Sequence, residues 1–395
     1  MAPLLLIGAL PLIALALNPN LFFSPLDFVD PWVYLGYFHH LKEFSGSLFK
    51  GLYFANRLSW LLPGTLFFKV LSPLVANYAL RLAVAYTALY SLYFALRRLA
   101  SEGLALAAAV TLAANPFFWQ AVGEDYVDGF GVALYLLLAA LLSRTRITPT
   151  VCVVVGALWV ALVDSNLVWA GFTPALLLLY FRNPREAWKS DLRYAIAGAL
   201  ALAAVLSIAS HLLWNDWWFY RSSLSFASGS LSRQNSYKRP GYAWMLHAPW
   251  LAPLALCMLV SLWRRGIRTW HFWACLAPIA AVELTGLYFL DYPFYASFLL
   301  PAIVLAYASR WEIAAALALN MGLFAMQPAR LTPSAHDSYA RITQAMQQVD
   351  QARGTRRPLF WYNAKEPNAA ELDALSSVYL WVYSSIGRDF PERPN

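Results

Sequence analysis

Charge is what this chain has least of. Only 13% of its 395 residues are Asp, Glu, Lys or Arg, against 60% hydrophobic and 16% aromatic, and its mean hydropathy is +0.50. A soluble domain usually carries about a quarter charged residues, so the composition argues against one. Cysteine is scarce too. Cys152, Cys257 and Cys275 all lie inside apolar runs, which points to neither a disulfide framework nor a zinc site. No Lys or Arg precedes the first apolar run, residues 4–17. That run lacks the charged start of a secretory signal and reads as a retained first helix. There is no repeat of the solenoid sort and no inverted-repeat signature of a transporter.

What the chain has in abundance is apolar runs of roughly membrane-spanning length, which predict an all-α polytopic membrane protein. Eleven spans are expected, at about 3–18, 73–96, 103–119, 128–143, 150–164, 166–181, 194–213, 244–263, 270–290, 293–309 and 312–328. Alternate connections carry the basic residues: Arg97 and Arg98, Arg144 and Arg146, Arg182 to Arg193, Arg264 to Arg268, then Arg310. The opposite short connections, 119–128, 164–166 and 291–292, have no Lys or Arg. This bias predicts a cytoplasmic N-terminus and an extracytoplasmic C-terminus. The formal charge of +8 therefore orients helices, and no nucleic-acid partner is expected. Residues 1–328 form the expected transmembrane domain. Residues 329–395 form a small extracytoplasmic α/β appendage, with polar helices at 334–353 and 368–385 and a short strand at 357–363.

On the outer side two connections are long. Residues 19–72 contain an aromatic, amphipathic stretch at 32–49 expected to lie along the interface. Residues 214–243 are Ser- and Gly-rich and basic. Nine acids gather on this side: Asp27, Asp30, Glu43, Glu124, Asp125, Asp128, Asp164, Asp216 and Asp291. Carboxylates at one membrane face, in front of a greasy body, suggest chemistry on a lipid-borne substrate.

Asp30 is the leading candidate. It precedes Pro31, which suits the first position of a helix, so Asp30 can be an N-cap, a proton acceptor for a hydroxyl, or both. Asp27 is its near neighbour. Glu124, Asp125 and Asp128 in "AVGEDYVDG" form a second cluster that can cap the next helix or hydrogen-bond sugar hydroxyls. No fixed spacing of oxygen ligands is present, so a divalent cation is not favoured and no cofactor is expected. Trp32, Tyr34 and Tyr292 are candidate sugar-site aromatics, and Asp291 a candidate partner or turn cap. Arg57 leads the candidate phosphate-binding cations, ahead of Lys42, Lys50, Arg221 and Lys238; each can equally touch lipid headgroups. Arg81 and Glu283 sit within or near apolar runs, where charges face the protein interior. His39 and His40 have no partner at ligand spacing and read as interfacial packing, and many of the 17 Trp residues suit an aromatic belt.

Several of these segments resemble the GT-C superfamily of membrane glycosyltransferases, the group of protein O-mannosyltransferases and aminoarabinose transferases. They are "LDFVDPWVYLGYF", "NRLSWLLPG", the Arg81-Leu82 pair and "NPFFWQAVGEDYVDGFGVALYLLLAALL", with a weaker echo in "DYPFYASFLLPA". The resemblance covers about the first 145 residues, and the rest by topology. It implies an inverting transferase that uses a polyprenyl-phosphate-linked sugar and a glycan, lipid or protein acceptor at the outer face of a bacterial inner (plasma) membrane. It maps the base onto Asp30 and the second acidic motif onto residues 124–128. The chain departs from the commoner Asp-Glu or Asp-Asp pair by having Asp30-Pro31. With an ionised phosphate as leaving group, a carboxylate base and a cationic clamp suffice, whereas a glycosidase generally needs two carboxyl groups. The rival expectations are a transporter or flippase of a lipid-linked saccharide, and a non-catalytic membrane assembly protein.

Overall fold

Proline and short polar side chains set where several of the described helices begin. The computed structural model describes residues 2–26, 29–46, 54–124, 126–181, 187–232, 335–354 and 369–379, with a few isolated positions between 260 and 322. Among the described residues the regular structure is entirely helical.

The apolar helix α1 (Ala2–Leu17) runs into a 3₁₀ turn, Pro19–Phe22, where the Asn18 side chain accepts the Asn20 amide at 3.1 Å. Helix α2 (Val29–Gly46) starts around Asp30-Pro31 and is kinked at His40, whose backbone is non-helical (φ −122°, ψ 27°). Then come α3 (Leu58–Val70) and α4 (Pro73–Leu99), the latter opened by Ser72-Pro73. The Ser101 hydroxyl caps α5 (Glu102–Ala113) by accepting the Leu104 amide. Asn115-Pro116 then breaks the apolar run and starts α6 (Pro116–Gly123), with Asn115 Oδ1 accepting the Phe118 amide at 3.2 Å. So the single span expected at 103–119 is two helices, because Pro116 cannot continue α5.

Helices α7 (Asp128–Leu142) and α8 (Pro149–Ser165) follow, the second capped by Thr148. A 3₁₀ segment, Leu167–Phe172, leads into α9 (Thr173–Phe181), so the run expected at 166–181 is only half α-helical. Helix α10 (Trp188–Trp214) ends at Asn215, which takes the left-handed conformation (φ 55°) of a C-terminal cap. Helix α11 (Arg221–Ser232) comes next, and α12 (Ala335–Arg353) and α13 (Ala369–Val378) lie near the C-terminus.

Helix α4 packs against α5 and α7, and α8 packs between α7 and α10. The α8–α10 crossing is close because both helices present glycine. A Cβ on Gly156 would collide with the Ala195 carbonyl, and one on Gly198 with the Val153 carbonyl. Among the described residues two helices, α4 and α10, are long and apolar enough to cross a membrane; α1, α3, α5, α7, α8 and the segment Leu167–Phe181 are shorter apolar helices.

The first long connection differs from its expected form. Residues 58–70 are the helix α3 rather than loop, with Pro63 inside it. In helix α2 residues 31–38 are all buried, and the helix packs against α3 and α13. Helix α12 packs on α4 and the 3₁₀ turn after α1. The strand expected at 357–363 lies outside the described residues, as do the last four spans apart from isolated positions.

Candidate functional site

Three separate stretches of chain converge at the start of α2. Asp30 occupies its first turn, and the Trp32 indole donates to the Pro25 carbonyl at 2.9 Å, fixing the approach of the chain to the helix. Tyr34 stands four residues after Asp30, on the same helical face. Its hydroxyl accepts a hydrogen bond from Arg57 Nη1 at 2.7 Å. Arg57 lies directly before α3, in a buried position. Its guanidinium also lies over the ring of Tyr126, 5.2 Å from the centroid, and that ring meets Tyr34 edge-on at 5.6 Å. Tyr126 comes from the acidic connection between α6 and α7, so α2, the start of α3 and the second acidic cluster form one site.

Burial pushes the Asp30 carboxyl above its ordinary pKa of 3.8, and the nearby positive charge of Arg57 pulls it part of the way back. A partly dehydrated carboxylate is a stronger proton acceptor than one in water. Glu124 and Asp128 are buried at either end of the acidic connection, each only 5% exposed. This connection is held close to its surroundings by glycine: a Cβ on Gly123 would strike the Leu21 carbonyl, and one on Gly129 the Ala121 carbonyl.

The sequence did not single out Asp164 as a site residue, yet it belongs here. From the end of α8 its Oδ2 accepts the Ser59 amide at 2.8 Å, while the Ser59 hydroxyl donates to the Ala161 carbonyl at 2.9 Å. Arg57 acts electrostatically on Asp164 as it does on Asp30. The signal in the sequence was only that Asp164 shared a membrane face with the other acids. Its partner is 105 residues away, beyond the reach of any local spacing.

The other candidates are placed as follows. Trp32 is fully buried and faces the ring of Tyr339 from α12 at 5.8 Å. Lys42 is exposed on α2. Arg221 pairs with Asp216 at 3.7 Å in the turn after α10. Asp27, Asp125, Asp291, Tyr292, Lys50, Lys238 and Glu283 lie outside the described residues. Arg81 is fully buried in α4, and one turn earlier Asn77 donates to the Phe22 carbonyl at 2.8 Å.

The histidine pair does more than pack at an interface. His40 lies 3.1 Å from Asp350 of α12 and 3.8 Å from Glu43, and the Tyr379 hydroxyl donates to Asp350 at 2.7 Å. These contacts tie the kink of α2 to the C-terminal helices. His39 is pushed down to about 4 by burial, reinforced by the neighbouring His40 and opposed by Asp350. No spacing in the sequence relates residue 40 to residue 350, which is why the pairing was not expected. Among the described residues no group of three or more His, Cys, Asp or Glu could hold a metal ion.

Compared with known proteins, the chain matches no family model, no curated protein and no solved structure.

Proposed function

We propose that this chain is a polytopic membrane glycosyltransferase of the GT-C kind, acting at the extracytoplasmic face of a bacterial inner (plasma) membrane. The observation that carries the reading is Asp30: a partly buried carboxyl in the first turn of α2, with the Arg57 guanidinium as its neighbouring charge and Tyr34 and Tyr126 around that guanidinium. The topology proposed with it has about eleven spans, a cytoplasmic N-terminus and an extracytoplasmic C-terminus, argued from the distribution of basic residues.

The donor is a sugar on a polyprenyl phosphate and the acceptor a hydroxyl of a glycan, lipid or protein. Asp30 takes the hydroxyl proton as the acceptor oxygen bonds to the anomeric carbon. The bond from that carbon to the phosphate oxygen breaks on the opposite side, and polyprenyl phosphate leaves with the electron pair. Attack opposite the leaving group inverts the anomeric configuration. Arg57 supplies the positive charge that offsets the departing phosphate. Glu124, Asp125 and Asp128 orient the sugar hydroxyls. No general acid is required at the leaving group, because the phosphate is already ionised.

A second reading, movement of a lipid-linked saccharide without transfer, draws on two observations. Arg81 is buried within an apolar helix, and the apolar runs are interrupted at Asn115 and Asn166. Lipid extracts of a deletion strain separate the two. Loss of transfer leaves an envelope product one sugar lighter and lets the polyprenyl-linked donor accumulate. Loss of movement leaves the donor inaccessible to enzymes added from outside, and restoring that access with an unrelated flippase would sink the transferase reading.

A further inference from the structure

The start of α3 is held by an acid from another helix. Arg57 stands at its N-cap position and makes no side-chain cap hydrogen bond, so the first amides of α3 need acceptors from elsewhere. Asp164 supplies one, accepting the Ser59 amide at 2.8 Å. The Ser59 hydroxyl makes a second tie to α8 through the Ala161 carbonyl at 2.9 Å. Two hydrogen bonds thus fix the backbone two residues after Arg57 to the last turns of α8.

We propose that Asp164 is a positioning residue of the site: by fixing the Ser59 amide it sets where the Arg57 guanidinium stands between Tyr34 and Tyr126. This rests on the reading of Asp30 and Arg57 given above, and it deepens that reading by adding a residue that touches neither sugar nor acceptor. Its physical content is simple. A long arginine side chain holds a guanidinium in place only as well as its own backbone is held. Here the backbone anchor comes from α8, and the side-chain anchors come from α2 and the acidic connection.

The test compares Asp164→Asn with Asp164→Ala in the purified full-length protein. Both remove the carboxylate charge, but Asn keeps an oxygen that can accept the Ser59 amide. The readout is the pH profile with which a hydrophobic carbodiimide modifies Asp30, followed by peptide mass spectrometry, because only the protonated carboxyl reacts. Glu124 and Asp128 are the same in both variants and cancel in the comparison. If Asp164 positions Arg57, the Ala variant lets the guanidinium stray, and Asp30 stays protonated to higher pH. Its labelling midpoint then lies above that of the Asn variant by roughly one pH unit.

Superimposable profiles, with a lowered unfolding temperature for Asp164→Ala, would reduce Asp164 to a plain cap and overturn the proposal. If Asp164→Ala yields no folded protein, Asp164→Leu, of similar size and without acceptors, replaces it. None of these outcomes depends on sugar transfer. A chain that fails to transfer sugar but separates the two profiles refutes the enzyme reading and leaves the positioning intact.

Discussion

The Arg57 guanidinium donates a 2.7 Å hydrogen bond to the Tyr34 hydroxyl, tying the residue before α3 to the helix that carries Asp30. Both groups are buried, and hydrogen bonds to charged groups contribute about 1.5–3 kcal/mol each. Tyr34→Phe keeps the ring against Phe54 and Tyr126 but removes this acceptor. We expect a loss of stability of that order in thermal unfolding, and sugar transfer slowed by about tenfold or more. Unchanged stability and rate would mean that the Arg57–Tyr34 contact does not organise the site.

The α8–α10 crossing offers a sharper structural expectation. Gly156→Ala and Gly198→Ala each place a methyl group where the facing helix has a backbone carbonyl, which cannot swing away as a side chain can. Each should cost about 1–3 kcal/mol or more. The pair together should cost less than the sum, because separating the helices for one relieves the other. Gly103→Ala is the control: nothing lies within 4 Å of its added Cβ, and the change should be neutral or stabilise α5 by up to about 1 kcal/mol. Equal effects at all three positions would argue against the close crossing.

His39 gives the fold a pH dependence of known sign. Its folded-state pKa, about 4, lies below the ordinary value of 6.5, so the unfolded chain binds the proton first. The stability associated with neutral His39 is complete above about 6.5 and lost as pH falls from there toward about 4. A shift of this size corresponds to something on the order of 3 kcal/mol. His39 packs edge-on against Phe68 at 5.0 Å, so His39→Phe keeps an aromatic ring there and removes the titration. The variant should show a flatter stability profile across this pH range than wild type, as measured by chemical denaturation. An equally steep profile would assign the acid sensitivity to other groups.

How far the sequence could be read depended on the range of the interactions. Local signals were legible: Asp30-Pro31 marks the start of α2, Asp128 that of α7, and Thr148-Pro149 that of α8. The edges of α1, α4, α7, α8 and α10 lie within a few residues of those expected, the N-terminus of α10 being the most extended. Helix α3 was hidden because Pro63-Gly64 in its middle reads as a break, yet Gly64 is there to admit the ring of Phe38. The interface reading of α2 followed its aromatic amphipathic pattern, but pattern alone does not reveal that the C-terminal helices cover it. The site divides in the same way. Asp30 and Arg57 were named from their own surroundings, whereas Asp164, Tyr126 and the His40–Asp350 pair depend on contacts between segments far apart in the chain.

The most direct test of the central claim concerns Asp30 itself. A deletion strain carrying either wild-type protein or an equally abundant Asp30→Asn variant would be compared by mass spectrometry of envelope glycans and polyprenyl-linked sugars. Asparagine keeps the size of Asp30 and a hydrogen-bond-accepting oxygen, but cannot take a proton from a hydroxyl. The account predicts a product lacking one sugar and an accumulated lipid-linked donor in the variant, with the mass difference giving the class of sugar. A variant whose glycans and lipid-linked sugars match those of wild type would make Asp30 a structural residue of the first turn of α2 and contradict the mechanism.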